Sequence, residues 1–473
     1  MKRLLALPLA ALLAACAPLP PEQQSVAPRT DVTVDKTIQG LAQKTQPAAQ
    51  AQQSERWWEA LHDPQLNQLI ETALQHSPDL QVLQARVAAA GQAEQLARLN
   101  GQVHYDTNAS VIRQRYSENG IFPPPIGGSV FTQDDISLGM SYTLDFWGKN
   151  RALVKAAVGE ARAAQAEQAA ARLNLAALVA DAWYAWGDAQ SQLRLAEQQV
   201  ALQQKQVEVA ETRFRHGLDT ALPGLAARQA LQRQQDGLQQ LTYQTRADRY
   251  RLAALLGLSP DQSDSLPEPQ ETPALLPLPA HVPADWLAQR PDVQAQLWRV
   301  QAAQGQVDAS KADFYPNIDL KLLVGLESID ASKWLTPSSR MGSVGPAIHL
   351  PLLNVQTLRA RLGQSQADYR AAVASYDATL LQAARQAVDS YALASSLDQR
   401  SKMQQAAMDE AEKTRAVQAL RLQKGLIAET QLLDAEQAAL SQQQQLVTTR
   451  TARMRAQVAL MQAVGGRAFR SEP

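Results

Sequence analysis

The chain has 473 residues and a net charge of -1 at pH 7, with 45 basic and 46 acidic residues. This balance provides no basic face for nucleic acid and no polybasic run for electrostatic docking to a membrane surface. A single cysteine rules out a disulfide framework. After the first sixteen residues no segment reaches roughly 18 uninterrupted apolar residues, so no membrane-spanning helix is predicted there.

The amino terminus has the features of a secretory signal, predicted over residues 1–15. A basic start precedes the apolar run 4–13, which is too short to span a bilayer permanently, and small residues precede Cys16. The ending Leu-Ala-Ala-Cys16 is similar to a bacterial lipobox, so Cys16 is interpreted as the lipidated first residue of the mature protein. The alternative is an ordinary signal peptide with a chance cysteine. Residues 16–54, rich in Pro, Gln, Ala and Thr, are predicted to form a lipidated tether.

The remainder of the sequence repeats once. The stretch from Arg213 to Leu218 returns as Arg421 to Leu426, and other matches keep the order of elements the same in both halves. The repeat period is about 200 residues, as the distance from Leu218 to Leu426 shows. Because this far exceeds the roughly 20 to 50 residues of solenoid repeats, the sequence predicts a duplicated unit of several helices and strands. The predicted parts are a first repeat over 55–257, a linker over 258–284, a second repeat over 285–466 and a tail over 467–473.

Each repeat contains two long helical patterns. The stretch from about 152 to 216 lacks proline, and its apolar residues recur every seven positions, which favours a coiled-coil seam. A shorter partner is predicted over about 225–256, and the second repeat matches with about 357–424 and 430–464. These seams are rich in Ala, Ser and Gln, which bury little area per contact. Helices this long therefore need neighbours along their whole length, most simply other copies of the chain.

Between the helices, apolar residues alternate with small or polar ones, as in the strands of a transmembrane barrel. The predicted strands are about 103–112, 136–146, 318–328 and 343–352. Four strands cannot close a barrel, and lipid does not tolerate an open edge, so other chains must complete it. Three copies would give twelve strands. The pair Asp134 and Asp135, just before the second strand, is interpreted as a loop charge pair.

Three motifs carry a family resemblance. The segment 57–74, which opens with two tryptophans, the segment 144–149, and Gly425 with the following Leu-Leu-Asp434-Ala all resemble TolC-type outer-membrane factors. The match is to their lipoprotein branch, the exit ducts of tripartite efflux pumps. The resemblance implies a mainly α fold with a small β part. In a homotrimer, the duplicated coiled-coil helices would form an α-barrel in the periplasm. Four strands per chain would contribute to a twelve-stranded barrel in the outer membrane of a Gram-negative bacterium.

The resemblance also implies a function and partners. The chain would be a passive, lipid-anchored duct without cofactors other than the N-acyl and S-diacylglycerol lipid on Cys16. It would contact a periplasmic adaptor protein, an inner-membrane pump indirectly, and outer-membrane lipid, but no nucleic acid. The sequence shows no catalytic motif and its six histidines are scattered, so no enzyme is predicted. The alternatives are a lipid-anchored periplasmic adaptor and a structural coiled-coil protein of the envelope. An adaptor would have one hairpin flanked by lipoyl-like and barrel domains rich in glycine turns, whereas this sequence has two hairpin pairs. A structural coiled coil would not need strand pairs at matching points of both halves.

The family's functional positions map onto two places. The turns that would dock the adaptor contain Arg213, Gly217, Leu218, Arg421, Gly425 and Leu426. Alternatively, the two glycines only let the chain adopt the positive φ of a helix stop. Asp434 matches a pore-lining aspartate of the periplasmic gate, whereas Gln431 replaces a second one, so a ring would hold three carboxylates rather than six. Asp434 could instead be a solvated coiled-coil residue.

Overall fold

The computed structural model describes residues 26–41, 50–53, 56–269, 277–279, 282–351 and 354–470. Cys16, the predicted signal and about half of the predicted tether lie outside the described residues, and so does part of the predicted linker. Lipidation of Cys16 therefore stays a prediction.

The fold is mainly helical with a small sheet. Its helices are α1 (Asp35–Leu41), α2 (Pro64–His76), α3 (Pro78–Leu99), α4 (Lys149–Arg215), α5 (Leu222–Leu255), α6 (Ala284–Ala288), α7 (Pro291–Ala312), α8 (Val355–Gln423) and α9 (Glu429–Ala463). Its strands are β1 (Gln50–Gln53), β2 (His104–Arg115), β3 (Val130–Leu144), β4 (Asn317–Ser328), β5 (Arg340–His349) and β6 (Arg467–Arg470). None of the helices in the described ranges combines the length and the apolarity needed to cross a membrane.

The order of elements is the same in both halves: α3-β2-β3-α4-α5 is followed by α7-β4-β5-α8-α9. Corresponding helices also have nearly equal lengths, with 67 residues in α4 and 69 in α8, and 34 in α5 and 35 in α9. The four long helices begin and end within a few residues of the bounds that the sequence predicts. This agreement supports the predicted duplication.

The chain divides into two compact units, and the first contains residues 86–165 and 295–377. Its strands form one antiparallel sheet in the order β2-β3-β4-β5, so β2 and β5 are its edges. Helices α4 and α7 of this unit approach each other closely at two glycines. An added Cβ at Gly305 would lie 2.9 Å from the carbonyl oxygen of Ala152, and one at Gly159 would lie 2.8 Å from the Cβ of Ala302. Only glycine fits at both points without a shift of backbone.

The second unit contains residues 29–85, 166–294 and 378–473. Its core includes Trp57 and Trp58, which are buried and meet edge to face. Asp63 begins helix α2 by accepting a hydrogen bond from the Leu66 N–H (3.0 Å), and its other oxygen accepts one from the indole N–H of Trp183 (2.8 Å). One carboxylate thus caps α2 and fixes it to α4.

The sheet is longer than the alternation predicts. All four predicted strands are present, but β2 continues to Arg115 and β3 begins at Val130. The interpretation of Asp134 and Asp135 as a loop charge pair is wrong, because both lie within β3 and Asp134 pairs with Val111. A ladder of backbone hydrogen bonds can continue where apolar alternation stops, since the bonds do not depend on the side chains.

Candidate functional site

The turn between α4 and α5 closes on Gly217, whose φ is 69°. The Leu218 N–H donates to the Arg213 carbonyl and the Gly217 N–H donates to the Phe214 carbonyl, both at 2.9 Å. These two bonds form a Schellman motif, in which the left-handed residue is usually glycine. A Cβ at Gly217 would meet no atom within 4 Å. Glycine is therefore required here by the backbone angle and not by lack of space.

The turn between α8 and α9 repeats this geometry at Gly425, whose φ is 70°. The Leu426 N–H donates to the Arg421 carbonyl and the Gly425 N–H to the Leu422 carbonyl, again at 2.9 Å. A Cβ at Gly425 would also meet nothing within 4 Å. The structure therefore brings the predicted docking residues of each half into one turn of the same shape.

Both turns expose an apolar side chain. Leu218 is 67% exposed and Leu426 is 68% exposed. The arginine that accepts the turn's hydrogen bond is held loosely in each case: Arg213 lies 3.4 Å from Asp219, and the guanidinium of Arg421 donates to Gln418 at 3.4 Å. An exposed ion pair and a long, exposed hydrogen bond both contribute little stability, so these guanidinium groups can change partners at small cost. An exposed leucine beside a mobile cation suits contact with another protein.

The predicted gate residues lie near the start of α9. Asp434 and Gln431 are both exposed, whereas Leu433 and Ala435 between and beside them are buried. Because residues three apart lie on one helix face, Asp434 and Gln431 share a face that points away from the chain's own core. Within the described residues, no group of three or more His, Cys, Asp or Glu side chains is arranged to hold a metal ion.

Sequence reasoning missed an ionic cluster that ties three helices of the second unit. Asp181 on α4 accepts hydrogen bonds from Arg455 on α9 (2.6 and 3.1 Å) and from Arg251 on α5 (3.2 Å). Asp188 lies two helical turns after Asp181 on α4. Burial raises the pKa of its carboxyl group, while hydrogen bonds from neighbouring side chains and the charge of Arg455 lower it. In the sequence, Asp181 stands out only as a match to Asp389 of the second half, and nothing signals its partners.

A family model identifies the family to which the chain belongs. The model described as outer membrane efflux protein matches residues 69–258 and 282–466. The chain belongs to the outer membrane efflux protein family. The family consists of efflux channels and not of enzymes, so the chain is an outer-membrane exit duct, as the sequence predicts. The predicted outer-membrane location is confirmed as well.

Relatives agree with this assignment. The multidrug resistance outer membrane protein MdtP of Escherichia coli strain K12 is 30% identical over 424 residues, which cover 87% of this chain and 86% of MdtP. The structure of the outer membrane protein VceC from Vibrio cholerae matches with a TM-score of 0.80 at 31% identity, covering 88% of this chain and 99% of VceC. The Campylobacter jejuni CmeC outer membrane channel has a TM-score of 0.83 with 95% of both chains covered. At 18% identity, this last match shows the shared fold alone.

Proposed function

We propose that three copies of this outer membrane efflux protein assemble into one continuous duct, which passes small molecules delivered by a periplasmic adaptor and its inner-membrane pump. A relative such as MdtP is named for multidrug resistance, which supports small organic molecules as cargo. The duct would need no energy input of its own.

Helix α3 carries the proposal, because it is exposed where its counterpart α7 is buried. Val82 on α3 is 52% exposed, whereas Ala295, 213 positions later on α7, is 1% exposed. Leu96 is 61% exposed, whereas the corresponding Ala309 is 2% exposed. Helix α7 finds its neighbours within the chain. By the internal repeat, α3 would find equivalent neighbours on another copy, which would bury its apolar side chains.

The sheet supports the same assembly. Strands β2 and β5 each have one edge without a partner strand among the described residues. One face of the sheet is apolar and exposed, with Tyr105, Val111 and Val344 on it. In a lipid environment every backbone N–H and C=O needs an internal partner, so the edges would pair between copies. Three copies of four strands would close a twelve-stranded barrel.

Substitutions at two similarly exposed leucines, Leu96 and Leu218, can test trimer assembly and adaptor docking separately. Leu96→Lys places a charge on α3 and should convert the trimer to smaller species, as measured by light scattering of the purified protein in mild detergent. Leu218→Lys places the same charge on the docking turn and should leave the trimer intact while lowering drug export in cells. A wild-type protein that is monomeric in detergent, or a Leu96→Lys variant that stays fully trimeric, would contradict the proposed interface.

The proposed lipid on Cys16 is compatible with the reach of the chain. The hydroxyl of Tyr369 donates to the carbonyl of Val26 at 3.0 Å. Tyr369 lies fourteen residues after Val355, the first residue of α8, which corresponds to about 20 Å of helix. Val26 lies ten positions after Cys16, a separation that can span at most roughly 35 Å, so Cys16 can reach the end of α8 next to the sheet. Mass spectrometry of the mature amino terminus should find a lipidated Cys16, and an unmodified start elsewhere would refute the anchor.

The two glycine turns would be the docking site for the adaptor, and Asp434 would lie at or near the narrowest point of the resting duct. The exposed leucines at the turns and the outward face shared by Asp434 and Gln431 support these roles. A trimer would bring three Asp434 carboxylates together, with Gln431 adding no charge to the ring.

A further inference from the structure

The charged residues of the four-stranded sheet are separated by face. The cross-strand pairs assign Arg113, Arg115, Asp134 and Arg340 to the apolar, exposed face. The opposite face carries Asp106, Asp135, Asp319, Lys321 and Glu327. Acidic residues therefore dominate the polar face, and arginines dominate the face that would contact lipid.

The three arginines lie at one end of the two edge strands. Arg113 and Arg115 are among the last three residues of β2, before the loop that leads to β3. Arg340 is the first residue of β5, after the loop that follows β4. Both loops lie at the end of the sheet opposite the helices, which is the extracellular end if the helices are periplasmic. A charged side chain on the lipid face is strongly destabilising at mid-membrane and much less so near the interface. Arg340, paired with Leu326, thus lies at the edge of the apolar band, and Arg113 and Arg115 lie beyond it on the side of the loops.

The positive charges of these three arginines are free to bind an anion, because no strong ion pair neutralises them among the described residues. Within the described residues, Arg113 and Arg340 are exposed and form no ion pair with a carboxylate. Arg115 pairs with Glu118 at 3.1 Å, but both side chains are mostly exposed, so this pair is weak. Asp134 is the one acidic residue on this face of the strands, and it is buried between Val111 and Ser328.

We propose that Arg113, Arg115 and Arg340 form a binding site for the phosphate groups of a phosphorylated lipid in the outer leaflet. The proposal rests on the trimer proposed above, in which the β5 edge of one copy pairs with the β2 edge of the next. In that trimer the two strands of each seam both carry arginines near their loop ends: Arg340 on one copy, and Arg113 and Arg115 on the next. Three guanidinium groups on one seam repel each other unless an anion lies between them, and guanidinium binds phosphate through two parallel hydrogen bonds.

The apolar surface beside the arginines favours a lipid over free phosphate. Val111 lies two residues before Arg113 on the same face, and Val344 lies four residues after Arg340, both exposed. A lipid with phosphate groups can place its acyl chains on this band while its phosphates meet the arginines. Inorganic phosphate would gain only the second contact. One amphiphilic molecule at each seam would also join two copies of the chain.

Binding of diphosphoryl lipid A to the purified trimer in mild detergent, measured by native mass spectrometry, tests the site. Wild type should retain bound lipid A, and the combined variant Arg113→Gln, Arg115→Gln and Arg340→Gln should bind at least about tenfold more weakly. Arg340→Gln alone should show a smaller loss in the same direction, which guards against poor folding of the combined variant. Lys321→Gln removes a cation from the opposite face and should bind like wild type.

The probes distinguish the sources of phosphate. Lipid A stripped of its phosphates should bind wild type no better than it binds the combined variant, and inorganic phosphate at equal concentration should not displace lipid A. Equal binding of lipid A to wild type and the combined variant, or full displacement by inorganic phosphate, would overturn the proposal. A wild-type trimer that binds no lipid A would refute this site alone. A wild-type monomer would refute the assembly and the seam with it.

Discussion

Replacing Gly217 by valine tests whether the proposed docking turn requires a residue that accepts a positive φ. No atom beyond the chain neighbours lies within 4 Å of the added Cβ position, so the main cost of the substitution is the left-handed φ of 69°. An L-residue in this region costs about 1 to 2 kcal/mol, and a β-branched one lies toward the upper end. Since about 1.4 kcal/mol is tenfold in an equilibrium, the two hydrogen bonds of the turn should open roughly tenfold more often.

Hydrogen exchange of the Leu218 amide measures this opening directly, because that N–H donates the 2.9 Å bond to Arg213. Gly217→Asn is the first control, since asparagine tolerates the left-handed region and should accelerate exchange much less. Gly237→Val is the second. Gly237 lies within α5, has equal free space around its Cβ and does not have a positive φ, so valine there should leave exchange at the turn unchanged.

Drug export in cells that supply the partner pump should follow the same order, with Gly217→Val and Gly425→Val impaired and Gly217→Asn near wild type. The amount of trimer in the outer membrane should stay near normal in all of them, because the strain is confined to an exposed turn. Unchanged exchange at Leu218 in Gly217→Val would refute the backbone argument. Accelerated exchange with normal export in both valine variants would instead refute docking at these turns.

Three further outcomes follow from the geometry. Asp434→Ala should weaken the block of channel conductance by a trivalent cation from the periplasmic side by on the order of tenfold in planar bilayers, and an identical block would remove Asp434 from the gate. Gly305→Ala should lower thermal stability by about 1 to 3 kcal/mol because its Cβ would lie 2.9 Å from backbone of α4, whereas Gly363→Ala in α8, with open space around it, should not. Burial raises the pKa of Asp188 in the folded state above its value in the unfolded state, so wild-type stability falls as the pH rises from the unfolded-state pKa through the folded-state pKa. Asp188→Asn should therefore be more stable than wild type at neutral pH. In thermal unfolding this gain should vanish near pH 4, where the carboxyl group is largely protonated in both states.

Helix positions were largely predictable because heptad spacing, glycine stops and the internal repeat agree with each other. Gly217 and Gly425 end their helices as the sequence indicates, and the bounds of α4 and α8 fall within a few residues of the prediction. Strand ends were less predictable. The alternation of apolar residues shows only the part of the sheet that is apolar on one face, and Arg113 or Asp134 interrupt that pattern while the backbone ladder continues.

Contacts between distant segments were beyond the sequence. Asp181 matches Asp389 of the second half, yet Asp181 binds Arg455 on another helix, whereas Asp389 binds Arg385 on its own helix. The two halves have diverged in their side-chain partners while keeping their backbone. Spacing within one helix predicts the second contact, whereas the first depends on how three helices pack.

If the proposed trimer is the functional state, the exposed face of α3 makes the single chain prone to non-specific association in the periplasm. In the proposed assembly a second copy covers Val82 and Leu96, and before that a newly exported chain presents these side chains and the unpaired edges of β2 and β5 to other proteins. Folding and association then become one concentration-dependent process, and the stability of the protein depends on how much of it is made. A cell that exports the chain faster than it inserts it should accumulate aggregates, so holdase chaperones of the periplasm would determine how much duct is built.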